Sequence, residues 1–91
     1  MELYEIKNGL DKAHLLIDEY RKSAQIDEKL REIEGLSYQT MQDGFWDDPT
    51  KAKKIYDELN DMKKITDEYE NLCQSLNLLD ETYTLVKETD D

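Results

Sequence analysis

Proline occurs once in this chain, at Pro49, and glycine three times, at Gly9, Gly35 and Gly44. Neither residue follows Pro49, so nothing interrupts a helix over the whole second half of the chain. The single cysteine, Cys73, excludes an internal disulfide and suits a reducing compartment. The single histidine, His14, has no second histidine and no neighbouring cysteine, so the usual zinc-ligand sets cannot be assembled. No apolar run approaches the ~20 residues of a membrane span. The N-terminus, Met1 to Lys7, is charged and lacks the apolar core of a secretory signal. Basic residues are scarce: 12 against 23 acids, a formal net charge of −11. Such a surface is repelled by phosphate and is not the main element of a nucleic-acid-binding site. These absences together lead us to expect a soluble, cytoplasmic chain.

What is present is helical in character. Charged residues make up 38% of the 91 residues and hydrophobic ones 37%. That mixture with helical periodicity indicates an all-α bundle or coiled coil. Charge at this level also fits disorder, but regular apolar stripes argue against it. The acids are spread along the helices rather than blocked, as on a solvated face.

The longest stripe lies in the C-terminal half. Asp48-Pro49 starts it: the Asp carboxylate accepts from the orphan amides of a first turn, and Pro gives up an amide that had no partner. Apolar residues then recur at Ala52, Ile55, Leu59, Met62, Ile65, Tyr69, Leu72, Leu76, Leu79, Tyr83 and Val86. From Met62 the steps alternate 3-4-3-4, the signature of a helix burying one stripe. One helix over 48–88 would be about 60 Å long, so the rest of the chain must cover it.

A first helix is expected over 3–22, with Leu3, Ile6, Leu10, Ala13, Ile17 and Tyr20 in heptad alternation and Leu16 widening the stripe. A face that broad suits contact with two helices. His14 reads as an ordinary surface residue. Ser23 to Asp27 is a break, with Asp27 as N-cap of a second helix over 27–42 carrying Leu30, Ile33, Leu36 and Met41. The fold class expected is an antiparallel three-helix bundle or coiled coil with a long third helix. Helices one and two would form a hairpin against the first half of helix three, with Leu10, Ile17, Leu30, Ile33, Ile55 and Leu59 in the core. The alternative is that they lie end to end and cover its full length.

Two stretches stand out as candidate sites. Gln42 to Pro49 contains Asp-Gly, a turn signal, and then Phe45 and Trp46, the only Phe and Trp of the protein. Phe45, Trp46, Asp48 and Pro49 are read as a structural turn and cap, with an aromatic ring packed on the start of helix three. Exposed, the same pair could dock a partner. The second stretch is Ile65, Tyr69, Leu72, Leu76, Leu79 and Tyr83. Short helices covering only the first half of helix three would leave this face for self-association or for a further helix. Thr66, Cys73, Ser75 and Thr82 beside it are small or neutral, with Glu68, Asp80 and Lys87 the charged exceptions. No catalytic set, phosphate-binding glycine loop, metal-ligand spacing or cofactor motif is found. No catalytic, cofactor-binding or metal residue is therefore assigned, and the chain is not read as an enzyme.

The motifs themselves carry a resemblance. Met1-Glu2-Leu3-Tyr4-Glu5-Ile6-Lys7, the region of Asp27, Phe45-Trp46-Asp47-Asp48-Pro49 with Lys51-Ala52, Glu58-Leu59-Asn60 with Lys63, and the acidic end Lys87 to Asp91 resemble the N-terminal helical domain of bacterial class I peptide chain release factors. The branch specific for UGA and UAA codons is the more similar. Phe-Trp-x-Asp-Pro is the most specific piece. The family has a Pro shortly before Phe-Trp, where this chain has Gln42-Asp43-Gly44, and a Leu where Ile26 stands.

The resemblance implies a domain spanning 1–91 that lacks the codon-reading and Gly-Gly-Gln domains. Neither Ser-Pro-Phe nor Gly-Gly-Gln occurs in the chain. It implies contact with the stalk-base protein of the large ribosomal subunit and a link to the release-factor GTPase, without stop-codon contact. A homodimer is a further expected partner state. The competing reading is a free-standing acidic helical adaptor.

Overall fold

The computed structural model describes residues 2–89; Met1, Asp90 and Asp91, which bracket the resemblance, lie outside the described residues. The elements are α1 (Leu3–Ser23), α2 (Ile26–Thr40), a 3-10 turn (Phe45–Asp47) and α3 (Pro49–Thr89). No strand occurs among the described residues. The all-α class holds, and each helix lies within two residues of its expected bounds.

The packing is the end-to-end arrangement rather than the hairpin. The molecule measures 65 × 23 × 16 Å. α3 runs its full length, with α2 antiparallel along its first half and α1 antiparallel along its second. The ends establish this: Phe45 after α2 lies by Ile55, while Leu3 and Ile6 at the start of α1 lie by Leu79 and Val86. Between them, Tyr20 near the end of α1 meets Tyr69, ring centroids 6.4 Å apart.

The joint between α1 and α2 explains the outcome. Only Ala24 and Gln25 separate them, and Gln25 alone is left-handed, at φ 53°. The backbone stays bonded across the joint, Gln25 N–H to Lys22 O at 3.1 Å and Lys29 N–H to Gln25 O at 3.0 Å. A two-residue link can close a helical hairpin, but here the hydrogen bonds run through the joint, so the single left-handed residue bends the chain without reversing it. Asp27 is therefore not the N-cap. It sits in the first turn of α2, and its carboxylate takes the Arg21 guanidinium in a fork, at 3.1 Å from Nε and 2.9 Å from Nη2. The pairing holds Asp27 below and Arg21 above its ordinary pKa, chiefly through that hydrogen bond.

Ile26, at this joint, is 1% exposed and is the largest fully buried side chain. Burial along α2 then follows Ile26, Lys29, Ile33, Leu36 and Thr40. Leu30, expected in the core, is half-exposed because a seam that starts at Ile26 takes Lys29 instead. The Lys29 ammonium bonds the Ala24 carbonyl, so the stem runs along the joint while its charge is satisfied. Met41 and Leu16 are exposed. Away from the joint with α2, α1 packs along α3, and Leu16 falls outside that seam.

Along α3, apart from half-buried Ile65 on its flank, the positions withdrawn from solvent are Ala52, Ile55, Leu59, Met62, Thr66, Tyr69, Cys73, Leu76, Asp80 and Tyr83. This is an unbroken 3-4 alternation. The apolar pattern of the sequence slips by one position after Met62, onto Ile65 and Leu72; the helix seam does not. Thr66, Cys73 and Asp80 take the positions that Ile65, Leu72 and Leu79 would occupy after the slip. The Thr66 hydroxyl is satisfied inside its own helix by the Lys63 carbonyl at 3.2 Å, which makes its burial tolerable.

Candidate interaction surfaces

The turn before α3 is built on Gly44, whose φ of +80° is left-handed and costs a glycine nothing. A Cβ there would also stand 3.2 Å from Asp47 Oδ2. Asp48 Oδ1 accepts from Lys51 N–H at 3.2 Å and Asp48 O from Ala52 N–H at 2.9 Å, which starts α3 with Pro49 at its first position. Phe45 and Trp46 meet edge to face, centroids 4.9 Å apart at 89°. Trp46 then lies 5.9 Å from the Tyr56 ring on α3. Phe45 is half-buried and Trp46 is 61% exposed. The structure therefore brings Phe45, Trp46, Asp48 and Pro49 together as one corner, with one ring packed inward and one presented.

The α1–α3 pairing has two unlike sides. On one side His14 Nε2 lies 2.7 Å from Asp80 Oδ2, and Lys7 pairs with Asp11 at 3.1 Å; Thr84 completes the rim. Sequence reading left His14 as a plain surface residue. Its partner is 66 positions away, and no local signal marks it. The other side is apolar. A cleft of about 140 Å³ lies between Leu3, Ile6 and Leu10 of α1 and Leu79, Tyr83 and Val86 of α3, with Thr82 at its edge.

The six residues expected on one face of α3 divide between two. Leu76 is buried and Tyr69 and Tyr83 are half-buried in the seam against α1. Hydrogen bonding with Cys73 and then burial push the Tyr69 phenol above its ordinary pKa. Ile65 is half-buried on the flank of that seam, and Leu72 and Leu79 there are 49% and 56% exposed. No cluster of His, Cys, Asp and Glu able to hold a metal occurs among the described residues. No helix among them is long and apolar enough to cross a membrane.

The resemblance implied a helical domain like the N-terminal one of bacterial peptide chain release factors, and the described residues are all-α. Sequence comparison bears this out. The chain is related along its whole length to the N-terminal quarter of peptide chain release factor 2. It is 33% identical over all 91 residues to peptide chain release factor 2 of Exiguobacterium sp. (strain ATCC BAA-1283 / AT1b), covering 25% of that protein. It is 33% identical over 88 residues to the protein of the same name from Staphylococcus aureus (strain COL), covering 97% of this chain and 24% of that one. It is 31% identical over 91 residues to that of Staphylococcus saprophyticus, again covering 24% of the relative. The chain thus spans about a quarter of the length of the curated relatives it matches. No family model and no solved structure matches it.

Proposed function

We propose that this chain is a non-catalytic helical module of translation termination, equivalent to the N-terminal domain of peptide chain release factor 2. The observation that carries this reading is similarity over all 91 residues to factors of that name. In this reading the module contacts the stalk-base protein of the large ribosomal subunit and bears on the response to the release-factor GTPase. Reading the stop codon and peptidyl-tRNA hydrolysis belong to other domains of such factors. The net charge of −11 supports contact with a basic protein rather than with RNA phosphates. The exposed Trp46 at the corner, beside half-buried Phe45, is the aromatic anchor such a contact would use. A second copy of this chain is a further partner, on the outer side of α3.

Excess chain added to a purified termination system should slow release by the intact factor modestly, because a detached part of a multivalent factor binds weakly. Trp46→Ala should abolish that inhibition without changing helix content. Peptide release by the chain alone, or no binding to isolated stalk-base protein at low salt, overturns the reading.

A further inference from the structure

The seams of α1 and α2 share one line along α3 but do not belong to one helix. In α1 the row turned to α3 is Leu3, Ile6, Leu10, Ala13, Ile17 and Tyr20; in α2 it is Ile26, Lys29, Ile33, Leu36 and Thr40. On a continuous helix of 3.6 residues per turn the second row would stand roughly 150° around from the first. The left-handed Gln25 brings both to the same side. That conformation is disfavoured for any residue with a Cβ. The other left-handed position among the described residues is Gly44, where it strains nothing. The Ile26, Asp27 and Glu28 amides also find no protein acceptor among the described residues, whereas an unbroken helix would give them the Lys22, Ser23 and Ala24 carbonyls. Against these terms stands only the docking of α1, and it is light. No residue of α1 is fully buried, while α2 is anchored at Ile26. One side-chain hydrogen bond joins α1 to α3 among the described residues, His14 Nε2 with Asp80 Oδ2 at 2.7 Å, and it is open to solvent.

We propose that α1 is a hinged strap and that Gln25 is its switch. With Gln25 left-handed, the strap is closed on α3. With Gln25 right-handed, α1 and α2 run on as one helix while α2 keeps its seat. The straight helix turns Tyr4, Asn8, Asp11, Leu15, Asp18 and Lys22 towards α3 in place of the apolar row of α1. Three of these are charged, and they would meet Tyr69, Leu76 and Tyr83. Burying unpaired charge against such side chains is unfavourable, so the helices part over this half. The α3 seam from Tyr69 to Tyr83 and the apolar row of α1 are then released together. Two packings that differ at one backbone position, each with its own favourable terms, make a bistable element of the kind that hinge motions use.

The strap is independent of any ribosomal role. Cys73, the single thiol, is half-buried in the row that α1 covers, so its alkylation reports release. Iodoacetamide labelling of the folded 91-residue chain should depend on urea far less steeply than global unfolding does. Gln25→Gly should slow labelling about tenfold, because glycine takes the left-handed conformation freely and is a poor helix residue. Gln25→Val should speed it by a similar factor, because β-branching makes the left-handed region an outlier. Helix content by circular dichroism should be kept or raised in the valine chain, since straightening lengthens the helix. Labelling that neither substitution changes, labelling that follows global unfolding in urea, or faster labelling of the valine chain with loss of helix each overturn the proposal.

Discussion

The two halves of α3 are one continuous helix with opposite surroundings. From Pro49 to about Ile65 its outer positions are mostly charged, among them Lys53, Lys54, Asp57, Glu58, Asp61 and Lys64. Its inner positions, Ala52 and Leu59, are at 0% and 3% exposure under α2 and the Phe45 corner. From Thr66 to Thr89 the helix is apolar on two sides, and α1 covers one of them. The seam there includes Thr66, Cys73 and Asp80, while Leu72, Leu78, Leu79 and Leu85 stand in solvent. Apolar content and burial are thus decoupled along one helix. In the first half α3 itself leaves one large apolar side chain exposed, Tyr56; in the second it leaves Leu72, Leu78, Leu79, Leu85 and Val86, apolar surface of the kind that marks an interaction site.

The sharpest test of that contrast compares buried residues at the joint and in each half. Ile26→Ala should cost about 2–5 kcal/mol in urea denaturation, because it empties the point where three helices meet. Leu59→Ala should fall in the same range. Leu76→Ala should lie at its lower end, because the single-sided pairing around it collapses more easily onto the gap. Equal losses at Leu59 and Leu76 would break the comparison.

A smaller effect should come from the start of α3. Asp48→Ala removes the cap on Lys51 N–H and should cost about 1 kcal/mol. Hydrogen exchange should then accelerate in the first turns of α3 and leave residues 72–89 unchanged. Those residues should already exchange faster than 52–66 in the unmodified chain, because fewer packed side chains resist local opening.

At Gly9, where an added Cβ meets nothing within 4 Å, Gly9→Ala should raise stability by up to about 1 kcal/mol, read as a higher urea midpoint. The gain should appear in α1 and strengthen cover of the weaker half of α3.

The smallest effect is electrostatic. The Asp27 carboxyl is depressed in the folded chain by the Arg21 fork. Its contribution is therefore present above its ordinary value of 3.8 and fades as pH falls through the lower folded value. Asp27→Asn should lower the melting temperature slightly at pH 7, and the difference from the parent chain should vanish in strong acid. A difference that persists there would mean that Asp27 acts through α2 helix formation rather than through the pair.

Much of this was legible in the residues. Asp48-Pro49 announced the start of α3, and the absence of glycine and proline beyond it announced its length. The 3-4 rows of α1 are withdrawn from solvent as expected at Leu3, Ile6, Leu10, Ala13, Ile17 and Tyr20. The Phe-Trp corner was legible as a unit, although its T-shaped pair and the Trp46–Tyr56 contact were not. The burial of Ile26, the exposure of Leu30 and the Gln25 bend were not legible. Neither a left-handed glutamine nor a lysine stem lying in a seam has a compositional signature.

The sequence alone determined that there are three helices, where α3 starts, and the resemblance of the whole chain to one region of one family. These depend on propensity, caps and local period, which act within a few residues. Only the tertiary structure decided which row of α3 is buried. Met62, Tyr69, Leu76 and Tyr83 belong to both candidate rows, so local hydrophobicity favours the row through Ile65, Leu72 and Leu79. A straight helix carries its phase along its length, however. Once α2 has seated Ala52, Ile55, Leu59 and Met62, the rigid rod presents Thr66, Cys73 and Asp80 to whatever continues α2's line. The Gln25 joint makes α1 continue it, and the apolar flank is left facing out.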